Sequence, residues 1–226
     1  MTKSFSIICA LVTTFIWGTA FIAQDTGMDN IGPLTFNAAR FLVGFITILP
    51  FAFFFEKQKI IKEINLNKSK FFKYLVIMGV SLFLGTSLQQ ASLQYTNVAN
   101  AAFFTVFYVP LVPILLFFIY SQKVHWSIWP SIVLCIYGVY LLSNFSDAEI
   151  MKGDSLVILC SLFWAVHIIF AGKFMETFNI PVFYAALQGF LVATLSILSA
   201  YTFEEVIILS LIHISEPTIR LKISYA

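Results

Sequence analysis

Residues 97–120, NVANAAFFTVFYVPLVPILLFFIY, make a run of 24 without a formal charge, with Pro110 and Pro113 in its middle. No other stretch constrains the chain as much. The hydrocarbon core of a bilayer is ~30 Å thick, and about 20 apolar residues cross it as a helix. Ala99, Ala101 and Ala102 at one end let a neighbouring helix approach closely. Two prolines in mid-span remove backbone hydrogen bonds, which lipid tolerates only where protein or a water-filled cavity satisfies the freed groups. The run predicts a bent helix buried within a bundle of membrane helices.

Composition extends this to the whole chain. Only 11% of the 226 residues are charged and 60% are hydrophobic, against about 25% charged in soluble domains. Such a deficit, spread along the length, implies an apolar outer surface with lipid as its solvent. No basic face interleaved with aromatics appears, so nucleic acid is not an expected partner. Cys9, Cys135 and Cys160 stand singly in apolar segments without CxxC spacing or a histidine cluster, and read as small packing residues rather than a disulfide or metal site. No cofactor motif is present. The amino terminus has too long an apolar core for a signal peptide and is followed by further spans, so it reads as a retained first helix.

Seven hydrophobic spans are expected, at residues 5–24, 33–55, 71–93, 97–120, 128–143, 155–175 and 181–201, joined by short polar connections. Trp126, Trp129 and Pro130 suit an interfacial start for the fifth. Lys3, Lys57, Lys59, Lys62, Lys68, Lys70, Lys73, Lys123 and Lys173 fall on one side of the expected membrane, and Lys152 alone on the other, beside Asp25, Asp29, Asp147, Glu149 and Asp154. The positive-inside rule then sets the amino terminus in the cytoplasm.

The first and sixth spans repeat one another. FIWGTAFIAQ, from Phe15, and LFWAVHIIFA, from Leu162, each carry a tryptophan, Trp17 or Trp164, and each is followed by a polar loop and a proline, Pro33 or Pro181. Seven residues past those prolines stand Arg40 and Gln188. An offset of 147 to 148 residues thus aligns spans one and two with spans six and seven, giving a repeat unit of five helices. Five is odd, so the second unit enters from the opposite side, an inverted-repeat plan found in secondary transporters with the solute site near the midplane.

These residues are similar to the EamA-type transporters of the drug/metabolite transporter superfamily. The resemblance is carried by Ile16-Trp17-Gly18-Thr19-Ala20-Phe21, by Asn37-Ala38-Ala39-Arg40-Phe41-Leu42, by Gly85 through Thr105 with its Gln94–Ala102 run, by Pro110 through Leu142, and by Gly153-Asp154-Ser155-Leu156 through Trp164. It covers residues 5–203. It implies an all-α polytopic membrane bundle of ten helices in two inverted five-helix halves about a central cavity, of which about seven helices are present here. It implies residues 1–145 as the first unit, 153–203 as the start of the second, and 204–226 as a divergent tail. Where the family commonly has a Glu after the fourth helix, this chain has Gln122. From Ser210 onward the sequence resembles library-adapter sequence read into the end of a fragmentary assembly, and is set aside from functional reasoning.

Arg40 is the sharpest candidate. A charge that deep in a span costs from ~3 to more than 10 kcal/mol, and so faces the bundle interior or water. It is either a ligand for an anionic solute or a side chain that snorkels to carbonyls near Asp25 or Asp29. Trp17 and Trp164 either line a cavity or pack at the interface. Gln90 and Gln94, four apart, share a helix face and offer amides to a solute or to a neighbouring helix, as does Gln89. Tyr108 stands beside the break in span four. His167 is a proton relay or a hydrogen-bonded structural group. Gln188 is the repeat partner of Arg40 and makes the halves chemically unequal. No Asp or Glu lies inside the seven spans, so coupling through an intramembrane carboxylate is not expected.

The expected function is secondary transport of a small organic metabolite or drug-like solute across the cytoplasmic membrane by alternating access. The alternatives are a non-transporting fragment or assembly partner, and a membrane-embedded enzyme. Against the enzyme, no set of catalytic or phosphate-binding residues clusters at one depth. Expected partners are a small-molecule solute and the lipid bilayer; a homodimer is compatible with the sequence, which does not fix oligomeric state.

Overall fold

The structure, a computed structural model, describes residues 3–28, 31–122, 125–142 and 152–204. Asp29, Lys123, Asp147, Glu149 and the tail from residue 205 onward lie outside the described residues, and so does the side chain of Cys135. Among the described residues eight helices follow one another: α1 (Lys3–Thr26), α2 (Pro33–Leu66), α3 (Lys68–Ser92), α4 (Val98–Thr105), α5 (Tyr108–Tyr120), α6 (Ile128–Leu142), α7 (Lys152–Thr177) and α8 (Pro181–Phe203). Six stretches of the described residues, with α4 and α5 taken together as Val98–Tyr120, are long and apolar enough to cross a membrane. The seventh expected span, α6, is described over 15 residues, about 22 Å at 1.5 Å per residue. The chain is an all-α polytopic membrane bundle.

The bend expected in residues 97–120 lies between α4 and α5. Pro110 has no N–H, and its ring clashes with the carbonyl four residues back, that of Val106. That carbonyl is instead taken by the N–H of Val109 at 2.9 Å, while the N–H groups of Val106 and Phe107 reach back only three residues, to Phe103 and Phe104. Pro113 is absorbed within α5. One proline makes the break, and it makes it one turn ahead of itself.

The second span runs further than its hydropathy suggests. Residues 56–66, EKQKIIKEINL, continue α2 to a length of 34 residues, about 51 Å. Lys, Glu and Gln are good helix formers, and Ile60 turns inward to join Phe71, Leu75, Met78, Phe174, Phe178 and Ile180 in an apolar cluster. Three of the lysines expected in a loop therefore ride on the end of α2, and Lys68, Lys70 and Lys73 on the start of α3. Only Asn67 separates the two helices, its side chain capping Lys70 N at 2.9 Å.

Helices α2, α3, α7 and α8 form the centre. Helix α7 lies antiparallel along α3, as the contacts of Phe71 with Phe174 and Phe178 at one end and of Thr96 with Asp154 at the other define. At Gly153 the approach is close, for a Cβ there would stand 2.6 Å from the Ser92 carbonyl oxygen. Asp154, expected in a loop, is in the first turn of α7, buried, and accepts a hydrogen bond of 2.5 Å from Thr96 Oγ1.

Helix α8 lies antiparallel along α2, and the ends of this pair are held by carboxylates. Each helix starts with a proline, after Gly32 or Ile180, neither of which supplies a side-chain cap. The N–H groups of the next two residues have no partner within the helix. Glu56 of α2 accepts from Val182 N at 3.1 Å and Phe183 N at 2.7 Å. Glu204, just past α8, accepts from Leu34 N at 2.7 Å and Thr35 N at 2.9 Å, and from the Thr35 hydroxyl at 2.8 Å. Glu56 is buried inside α2, one residue beyond the expected span 33–55, because the helix runs on past that span. Its role is that of a cap, where the positive end of a helix favours an anion.

Candidate functional site

A cavity of about 410 Å³ opens among the four central helices, lined on α2 by Arg40, Phe41, Gly44 and Ile48, on α3 by Leu82, on α7 by His167, and on α8 by Tyr184, Ala185, Gln188 and Gly189. The spacing on α2 and on α8 is that of one helical face. Gly189 seats α8 against α2. Its missing side chain would meet the Phe41 carbonyl oxygen at 3.3 Å and the Phe45 amide at 3.4 Å, and this sets Gln188 within about one turn of Arg40 along the pair. The cavity lies where the cluster around Met78 meets a second one built on Leu82, Ala101, Phe104, Val157, Cys160, Trp164 and Val192. Both described cysteines, Cys9 and Cys160, are free, and Cys160 packs in that cluster.

Three sequence candidates, Arg40, His167 and Gln188, converge here. The Arg40 guanidinium carbon lies 5.0 Å from the centroid of the Phe41 ring and 5.9 Å from that of Phe36. Among the described residues no carboxylate pairs with it and it makes no hydrogen bond to a carbonyl near Asp25; Asp29 lies outside the described residues. His167 Nδ1 lies 3.2 Å from the Met78 carbonyl oxygen, to which it donates; in the neutral ring this leaves Nε2 as an acceptor. Both amide atoms of Gln188 and the Tyr184 hydroxyl are buried without a hydrogen-bond partner among the described residues. Buried polar groups are ordinarily satisfied, and these three atoms have no partner among the described residues.

Three more candidates form an aromatic group joined to the cavity through His167. The Trp17 ring meets Trp164 edge-on at 5.6 Å between centroids and Tyr108 at 6.4 Å, and Trp164 meets His167 at 6.0 Å. The two tryptophans aligned by the repeat are therefore in contact. Trp164 is buried, with its indole N–H unpartnered, while Trp17 is 41% exposed.

Gln89, Gln90 and Gln94 do not join this site. Gln90 is buried and its amide donates to the Gln24 carbonyl at 3.1 Å, tying α3 to the end of α1. Gln89 donates to the Thr105 hydroxyl at 2.9 Å, beside the break in span four. Gln94 does not share a face with Gln90. Helix α3 ends at Ser92, and Gln94 lies exposed in the turn beyond it, on the rim of a separate surface depression near Glu204. Gln94 would share that face only if α3 ran on past Ser92.

Sequence reasoning missed Tyr184, although its spacing of four from Gln188 puts the two on one face. It also missed Glu56 and Glu204 as caps. Each stands 148 residues from the other, the same offset as Arg40 and Gln188; that offset was the available signal. Among the described residues no cluster of His, Cys, Asp and Glu could hold a metal ion.

Residues 4–144 match the EamA-like transporter family. An uncharacterized transporter of Archaeoglobus fulgidus is 30% identical over 185 residues, which are 82% of this chain and 54% of the relative. An uncharacterized transporter of Clostridium kluyveri is 26% identical over 199 residues, 78% of this chain and 58% of the relative. The chain thus spans little more than half the length of these relatives. No solved structure matches it significantly.

Proposed function

Because the chain belongs to the EamA-like transporter family, we propose that it carries a small organic solute across the cytoplasmic membrane by alternating access, with the solute held in the cavity between α2, α3, α7 and α8. One observation carries this reading: Arg40 and Gln188, the polar pair related by the 148-residue offset, open into the same cavity. In an inverted repeat, residues related in this way meet about the pseudo-two-fold axis, where secondary transporters bind solute. The contact of Trp17 with Trp164 and the reciprocal caps of Glu56 and Glu204 support the same symmetry.

On this reading residues 1–145 are a first five-helix unit and 153–203 open a second. Helix α1 is exposed along nearly its whole length. Its repeat counterpart, α7, packs along α3, so the surface of α1 is the seat for the counterpart of α3 in a longer protein. The lysines on the ends of α2, α3 and α7 mark the cytoplasmic side and give a cytoplasmic amino terminus.

The test is a flux screen in proteoliposomes, with metabolite pools loaded on one side and measured on the other. Solute movement above that of protein-free vesicles is expected, and Arg40→Ala should reduce it at least about tenfold while membrane insertion is kept. A screen in which no solute crosses faster with protein than without it would sink the proposal.

A further inference from the structure

We infer that the cavity takes a monocarboxylate, with the carboxylate on Arg40 and an apolar body against Phe41, Ile48 and Leu82. The assignment rests on reading this cavity as the solute site. The cavity holds one full positive charge. The faces of Phe36 and Phe41 stabilise that charge but do not neutralise it, and among the described residues no acidic side chain reaches it. Inside a membrane a charged side chain is costly and is ordinarily paired, and the complement of this one is an anion. Charge balance fixes which kind. A monocarboxylate brings the site to zero, a phosphate dianion leaves it negative, and an amine adds a second positive charge where the dielectric is low.

The guanidinium fork also matches the two oxygens of a carboxylate. Gln188 is 96% buried, as its 4% exposure states, and both of its amide atoms and the Tyr184 hydroxyl are unpartnered among the described residues. Within about one turn of Arg40, Gln188 offers a donor to the carboxylate and an acceptor to any neighbouring hydroxyl or N–H. His167, with Nδ1 committed to the Met78 carbonyl, brings no charge when neutral. The remaining lining is apolar, and the volume of about 410 Å³ falls in the lower part of the ~300–1,000 Å³ range of small-molecule pockets.

The experiment is equilibrium binding to the full 226-residue chain in lipid nanodiscs. The probes are straight-chain and phenyl-substituted monocarboxylates from propanoate to 3-phenylpropanoate, beside 3-phenylpropanamide, 3-phenylpropylamine and inorganic phosphate. At least one monocarboxylate should bind saturably, about tenfold or more tighter than the matching amide or amine. Arg40→Gln should weaken it about tenfold or more, and Gln188→Leu severalfold. Gln188→Leu removes orphaned polar atoms and keeps the fold, so it reports even where an Arg40 variant fails to assemble. The inference is overturned if no monocarboxylate binds, if amide, amine or phosphate binds as well, or if both variants keep full affinity. A carboxylate that binds but does not cross proteoliposomes would leave the inference standing and remove the transporter reading. Flux of an amine through the same cavity would do the reverse.

Discussion

At the scale of single residues, the site is built from groups whose contribution to solute and to stability point in opposite directions. Gln188 and Tyr184 hold buried polar atoms without partners, and such atoms destabilise a fold by about 1–3 kcal/mol each. Gln188→Leu is therefore expected to leave thermal unfolding in detergent unchanged or to raise its midpoint, while solute flux falls. A lowered midpoint would mean that Gln188 is a packing residue. Arg40 was legible in the sequence because a charge inside a span has few explanations, and Gln188 because the repeat pointed to it. Tyr184 was not legible, since a tyrosine three residues past a helix-starting proline looks like an interfacial anchor. What turns it into a lining residue is the rotation of α8 that Gly189 sets.

At the scale of elements, α2 and α8 are each capped at the N-terminus by a carboxylate from within or just past the other. Each cap joins two helix N–H groups to a charged acceptor, and hydrogen bonds to charged groups contribute about 1.5–3 kcal/mol. Glu56→Ala is expected to cost about 2 kcal/mol or more in a reversible unfolding titration, and Glu56→Gln distinctly less, because the amide keeps one acceptor oxygen. Equal losses for Ala and Gln would show that charge and not hydrogen bonding holds the cap. Hydropathy read the positions of the membrane helices, and Pro110 announced the break before α5. The end of α2 was hidden, because EKQKIIKEINL has the composition of a polar loop and only the inward Ile60 shows it to be a helix. The partners of Glu56 lie 126 and 127 residues away, so nothing local in the sequence names them.

For the whole molecule, the lysines at one end of the bundle and the antiparallel pairs α2–α8 and α3–α7 define a direction across the membrane. A cysteine at Lys59, in an otherwise cysteine-free chain, is expected to react with an impermeant maleimide only after the inner face is opened; labelling in sealed right-side-out cells would reverse the assigned orientation. The reciprocal caps also order the assembly of the protein in time. Leu34 and Thr35 enter the bilayer early in synthesis, yet the oxygens that satisfy their N–H groups belong to a residue 169 or 170 positions downstream. The second helix is therefore inserted with an uncapped end and takes its final seat only once the eighth has been made. The residues of the cap on Val182 and Phe183 are all synthesised before Glu204, which completes the other.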